Sequence, residues 1–131
     1  MNGIVGIGID IEEIARFDAL IASWGGRFER KIFTEREVAY CCDKTRPAQH
    51  FAARFAAKEA FAKAIGTGWS GRFNWKDVEV HNDAVGKPSF KLHGGLLDRF
   101  GRMNIHVSLT HSASYVAAMV IIEHLDKHSV I

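Results

Sequence analysis

The sequence has little of what would point away from an ordinary enzyme domain. There are two cysteines in 131 residues, Cys41 and Cys42. Adjacent cysteines are poorly placed to bridge, so no disulfide framework is expected, and free thiols suit a reducing, cytoplasmic compartment. No apolar run is long. The longest, Tyr115 to Ile122, is far too short to cross a bilayer, which excludes a membrane span. Ile4 to Ile9 is short, broken by glycine and followed at once by Asp10, unlike a secretory leader. An excess of charge is also missing: 17 basic against 15 acidic residues leave a net +2. That is too small to argue for nucleic acid. His50, His81, His93, His106, His124 and His128 show no metal-ligand spacing and read as structural or surface residues. There is no repeat, linker or low-complexity segment. What remains is 47% hydrophobic, 24% charged and 11% aromatic. Those values fit one soluble domain over residues 1–131.

The stretch that dominates the sequence runs from Arg54 to Gly68. Alanine, lysine, glutamate and arginine favour helix, and no proline interrupts from Phe51 to Ile65. Gly66 falls where a helix ends. At about 100° per residue, Phe51, Phe55, Ala62 and Ile65 share one apolar face. Ala52, Ala56, Glu59 and Lys63 form a separate stripe. A helix this apolar is expected to be buried, and buried charges are costly unless they pair or bind an ion. Glu59 and Lys63 are therefore either an i,i+4 pair or part of a site.

Along the chain, Ile4 to Ile9 reads as a buried strand weakened by two glycines. Asp10 stands at its end, either as a cap or as a ligand, with Glu12 and Glu13 in the first turn of the next helix. Ile14, Phe17, Ile21 and Trp24 recur at helical spacing, and Arg16 points away from them. Gly25 and Gly26 break the pattern. Thr34 and Glu37 make a capping box that starts a helix running to about Cys42. Asp43 to Pro47 is a charged turn, and the long helix begins shortly after Pro47. Beyond Gly68 come a loop at 69–71 and an extended piece at 72–75. Strands are expected over 77–81 and 89–92, joined by a turn at Asn82 to Gly86. A short helix follows from Gly94 to about Phe100. Ile105 to His111 and Tyr115 to Glu123 read as strands, and 126–131 as a frayed tail. This order predicts an α+β fold with a mainly antiparallel sheet packed on a long central helix.

The chain resembles the holo-acyl-carrier-protein synthases, the short bacterial-type 4'-phosphopantetheinyl transferases. Gly8-Ile-Asp10 with Glu13 carries the likeness, as do Phe33-Thr-x-x-Glu37 with Tyr40-Cys41 and the run Arg54 to Gly68. Gly86-Lys-Pro88 and His106-Val-Ser-Leu-Thr-His111 fit the same pattern. The resemblance spans Ile4 to Glu123. It implies transfer of the phosphopantetheine arm of coenzyme A to a serine of apo-acyl carrier protein in fatty-acid biosynthesis. It also implies a magnesium ion held by Asp10 and Glu59, and a homotrimer with shared active sites.

The residue types suit that chemistry. Breaking a pyrophosphate ester builds negative charge that must be stabilised and held in line. Magnesium takes one or two carboxylates plus phosphate oxygens and water. Lys63, one turn beyond Glu59, is either a charge clamp or a simple partner for it. His111 ends a clean strand and, by the resemblance, contacts phosphate or positions the acceptor serine. Gly66, Thr67 and Gly68 let backbone N–H groups approach phosphates. Gly86, Lys87 and Pro88 are either a hairpin turn or, by resemblance, the border of the adenine pocket. Lys44 and Arg46 are candidates for the 3'-phosphate, and Ser108 or Thr110 for a further ligand contact. Arg16 is expected to dock the acidic carrier protein. Two other classes stay open: a non-catalytic coenzyme A or nucleotide-binding module, and a structural trimer-forming domain. Neither explains two carboxylates and a lysine in an apolar setting.

Overall fold

The structure is a computed structural model that describes residues 3–24, 26–66 and 73–125, with the side chains of Trp24 and Phe28 left out. Strand β1 (Ile4–Glu13) leads into α1 (Ile14–Trp24), α2 (Arg27–Ile32), α3 (Glu35–Cys42) and the 19-residue α4 (Pro47–Ile65). A 3-10 turn at Trp75–Asp77 precedes β2 (Val78–Asn82), β3 (Pro88–Leu92), α5 (Gly94–Phe100), β4 (Asn104–His111) and β5 (Tyr115–Glu123). One sheet has the order β1-β5-β4, a second is the hairpin β2-β3, and every pairing is antiparallel. The expected α+β class with a central helix is what forms.

Helix α4 starts with proline in its first turn and ends on Gly66 in the left-handed region (φ 75°). Both features suit those positions. It is buried nearly all round, through Phe51, Ala52, Phe55, Ala56, Ala57, Ala60, Phe61, Ala62 and Ala64. Phe55 packs on Phe17 at 5.5 Å and stacks on Trp75 at 5.3 Å. Phe61 meets Phe90 and Phe100 edge-on. Burying a side chain of this size contributes about 2–3 kcal/mol.

Strand β1 differs from the expectation in length and in face. It runs three residues past Asp10, so Asp10, Glu12 and Glu13 are strand residues rather than a cap and a first helical turn. Its isoleucines do not face the core: Ile7, Ile9 and Ile11 are 58%, 65% and 64% exposed. The inward positions are Gly6, Gly8, Asp10 and Glu12. A Cβ at Gly6 would collide with the Ala64 carbonyl oxygen, and one at Gly8 with that of Ala60. The glycines let the α4 backbone lie directly on the strand, and α4 presents alanine there for the same reason.

Three other expectations change. Helix α2 forms where only a glycine break was read; its six residues are too short for periodicity to reveal. The 72–75 piece is shorter than expected: Asn74 keeps an extended backbone and the chain turns into the 3-10 helix at Trp75, with Asn74 accepting from Lys76 N at 3.1 Å; Arg72 lies outside the described residues. Strand β2 starts at Val78, one residue later than expected. The expected loop at 69–71 and tail at 126–131 also lie outside the described residues. The Thr34–Glu37 capping box forms as read. In α1, Ile14 and Phe17 are fully buried and Ile21 packs on the core; the fourth residue of that face, Trp24, has its side chain outside the described part.

Candidate active site

Because β1 presses on α4, Asp10 arrives beside Glu59 and Lys63. Lys63 Nζ donates to Asp10 Oδ1 at 3.1 Å and to the Ile9 carbonyl at 3.0 Å. The lysine of this helix therefore pairs across to the strand rather than down the helix to Glu59. Asp10 Oδ2 is buried and has no hydrogen-bond partner. Glu59 is half-buried, and its carboxyl is pushed up by burial and by the Asp10 charge, against the pull of Lys63 and Arg16.

A third carboxylate completes this cluster. Glu12, two residues from Asp10 on the same face of β1, is 8% exposed. Burial pushes its carboxyl up to about 8, helped by a hydrogen bond with Asp10 and the charges of Asp10 and Glu59; Arg16 opposes the shift. Arg16 Nη1 donates to Glu12 Oε1 at 2.9 Å, and the guanidinium rests 5.9 Å from the Phe55 ring. Arg16 keeps 58% of its side chain exposed, so it reaches solvent while tethered at one end. Reading the strand only to Asp10 hid Glu12; the signal was its i,i+2 spacing from Asp10.

This cluster suits a divalent cation. Two carboxyls are raised, by burial first and by neighbouring negative charge second, one buried oxygen is orphaned, and an ammonium sits on the other oxygen of the same group. Among the described residues no group of three His, Cys, Asp or Glu side chains is placed to hold a metal ion. Asp10 and Glu59 alone would supply the protein's ligands; magnesium takes one or two carboxylates and fills its shell from phosphate and water.

The opposite flank of α4 is cationic. Arg54 is 3% exposed, yet among the described residues it makes no ion pair. Its Nη2 donates to Asn82 Oδ1 at 2.7 Å, its guanidinium lies 3.9 Å from the Tyr40 ring, and its Nε has no partner. Lys44 covers the same ring at 4.5 Å. His50, one turn before Arg54, is lowered by burial and by the charges of Lys44, Arg54 and His111, which places His111 in this group. Arg46 Nη1 donates to the Ala113 carbonyl at 3.2 Å, just beyond His111. The sequence reading did not single out Arg54 or His50 for this flank. Their i,i+4 spacing, continued by Lys58, was the available signal.

Gly86 closes the β2–β3 turn at φ 88°, and Asn82 Nδ2 donates to its carbonyl at 3.0 Å. Arg54 and the turn are thus joined through Asn82. Lys87 is exposed and Pro88 opens β3. Ser108 and Thr110 lie exposed on the outer sheet face, away from both flanks. Thr67 and Gly68 lie outside the described residues.

Known proteins resemble this chain in sequence and fold. A family model described as the 4'-phosphopantetheinyl transferase superfamily matches residues 6–120. The holo-[acyl-carrier-protein] synthase of Geobacter sulfurreducens is 46% identical over 123 residues, covering 92% of this chain and 98% of that protein. A holo-(acyl-carrier-protein) synthase of Bacillus anthracis, solved in complex with CoA (3',5'-ADP), superposes with a TM-score of 0.79 at 35% identity, covering 93% and 98% of the two chains. The Helicobacter pylori enzyme in complex with coenzyme A does so at 0.79 and 28% identity, covering 88% and 98%. With its carboxylates and its cations on opposite flanks of one glycine-seated helix, the chain belongs to the 4'-phosphopantetheinyl transferase superfamily.

Proposed function

We propose that the chain is a holo-acyl-carrier-protein synthase: it moves the 4'-phosphopantetheine arm of coenzyme A onto a serine of apo-acyl carrier protein and releases adenosine 3',5'-bisphosphate. The observation that carries this reading is the division of charge across α4. Acidic groups stand on one flank and unpaired cations on the other, which suits a donor that brings phosphates to both.

Asp10 and Glu59 would hold magnesium, which would neutralise charge on the pyrophosphate. Lys63, released from Asp10, turns its ammonium to the leaving phosphate. Arg54, Lys44, Arg46 and His111 receive the 3'-phosphate end, and the Gly86–Lys87–Pro88 turn borders the adenine. Thr67 and Gly68 are candidates for the phosphates on the sequence resemblance alone, the Gly66 N–H being taken by the Lys63 carbonyl at 3.1 Å. Arg16, tethered by Glu12, presents its remaining N–H donors to the acidic carrier protein. The unpaired thiols of Cys41 and Cys42 fit a cytoplasmic enzyme. No described helix is long and apolar enough to cross a membrane.

The two flanks belong to different copies in a homotrimer. Within one chain, Glu59 and Arg54 project from different faces of α4. The surface that joins copies is the outer sheet face, where Ile7 pairs with Ile121, Ile9 with Met119 and Ile11 with Ala117. Such a broad exposed apolar face marks an interface. The last strand contributes only its outward residues, because Val116, Ala118, Val120 and Ile122 are core.

Incubation with coenzyme A, magnesium and apo-acyl carrier protein tests the activity. Intact-mass spectrometry should show the carrier gaining one phosphopantetheine arm. A carrier of unchanged mass, with coenzyme A bound, would leave the binding-module reading.

A further inference from the structure

Among the described residues strand β2 has one partner strand, β3, and no strand lies on its other edge. An unpaired edge normally turns to water or to another chain. Here side chains of α3 and α4 occupy it. Glu37 Oε2 accepts from Val80 N at 2.8 Å, and Lys58 Nζ donates to the Val78 carbonyl at 2.8 Å. Arg54 Nη2 reaches the Val80 carbonyl at 3.5 Å. Lys58 also donates to the Trp75 carbonyl at 2.9 Å and to Glu37 Oε1 at 2.8 Å. Glu37 Oε1 in turn accepts from Thr34 N at 3.0 Å. Both members of the ion pair are fully buried.

A buried ion pair is a poor source of stability: two apolar side chains of similar volume commonly do as well. Its geometry offers something they lack. The pair ties α3, α4, the 3-10 turn and β2 into one register, and it stands where a third strand would. The hairpin it holds carries Gly86, Lys87 and Pro88 at its tip and Asn82, the partner of Arg54, beside them.

We propose that Glu37 and Lys58 are positioning residues for the donor end of the reaction: their ion pair replaces a neighbouring strand on the free edge of β2 and fixes the hairpin against Arg54. This rests on the reading of that flank as the coenzyme A site. The pair touches neither donor nor acceptor. Its loss releases the hairpin and loosens the pocket for the nucleotide, while the Asp10 flank and the Arg16 surface stay in place. The side effect is therefore selective, unlike that of a general loss of packing.

The test uses the full chain with the double variant Glu37→Leu/Lys58→Met. The expected result is a folded protein whose coenzyme A dissociation constant and KM rise about tenfold, with the KM for carrier protein within twofold of the unsubstituted protein. Without any coenzyme A, the amides of residues 78–82 and 89–92 should exchange at least tenfold faster. Unchanged hairpin exchange and unchanged coenzyme A affinity in the folded double variant would overturn the proposal, as would equal losses for donor and carrier. Should the double variant not fold, Glu37→Gln decides, since it keeps the shape and an acceptor but removes the charge. A coenzyme A affinity within twofold of normal there overturns the proposal; a selective loss supports it. If the unsubstituted protein does not bind coenzyme A, the reading of the site fails, and hairpin exchange still reads the positioning claim.

Discussion

The two flanks of α4 solve opposite problems with the same helix. On one, Asp10, Glu12 and Glu59 crowd negative charge around Lys63 and Arg16, and two of the carboxyls are pushed up, by burial first and by neighbouring charge second. On the other, Lys44 and Arg54 crowd positive charge, and His50 is pushed down, again by burial first. Each flank is electrostatically incomplete, in opposite senses. One lacks a cation and the other an anion. Groups held against their preference in this way are characteristic of sites rather than of packing. Lys58 and Glu37, by contrast, are deeper and yet complete: each charge meets the other and every remaining bond is satisfied. Burial alone does not mark function here, and neither does a missing partner, since Glu29 Oε2 is buried and unpartnered too; what sets the flanks apart is the crowding of like charge.

Breaking the acidic flank should have the largest effect. Asp10→Ala and Glu59→Ala are each expected to lower turnover by a factor of about a thousand or more, since each removes a group central to charge stabilisation. Circular dichroism should show the fold intact, and a variant with normal rates at limiting magnesium would defeat the metal assignment. Lys63→Ala should reduce kcat by roughly a hundredfold and change coenzyme A binding little. Weaker binding at an unchanged rate would move Lys63 to a ground-state role.

The cationic flank should respond differently. His111→Ala is expected to raise the KM for coenzyme A by about tenfold with a smaller effect on the KM for carrier protein. Steady-state kinetics with each substrate varied in turn would show the split. Arg16→Glu should raise the carrier KM severalfold at low ionic strength and much less at high salt. An unaltered carrier KM at low salt would place the docking surface elsewhere.

The smallest effect is on stability. With its folded value raised from 4.5 to about 8, Glu12 binds its proton more tightly folded than unfolded. Its contribution is present below the unfolded value and is lost as pH rises towards the folded one. Without divalent cation, Glu12→Gln should raise the melting temperature by roughly 5 °C at pH 8 relative to the unsubstituted protein, and hardly at all at pH 4. Equal shifts at both pH values would show that Glu12 does not titrate in this window.

Much of the fold was legible because its signals are local. The capping box at Thr34, the helix stop at Gly66 and the alternation of β4 are set by neighbours in sequence. The facing of β1 was not. Its pattern of isoleucine and glycine looks like a buried strand, and only the arrival of α4 shows that glycine is the inward residue. The same long-range contact hid Glu12 and turned Lys63 from Glu59 to Asp10. Arg54 and Lys58 were visible as charges on an apolar helix, but their partners on β2 come from 28 and 20 residues away. The Asp10–Glu59–Lys63 grouping was legible through the family resemblance, and its hydrogen bonds only through the structure.

The central claim, that the acidic flank of one copy works with the cationic flank of another, is open to one direct measurement. Asp10→Ala protein is mixed with an Arg46→Ala/His111→Ala variant after reversible dissociation, and native mass spectrometry confirms mixed oligomers. If the flanks act across copies, some sites regain both intact halves, and phosphopantetheine transfer rises well above the sum of the two parents. If mixed oligomers form and activity stays at that sum, each site is built within one chain and the account is wrong.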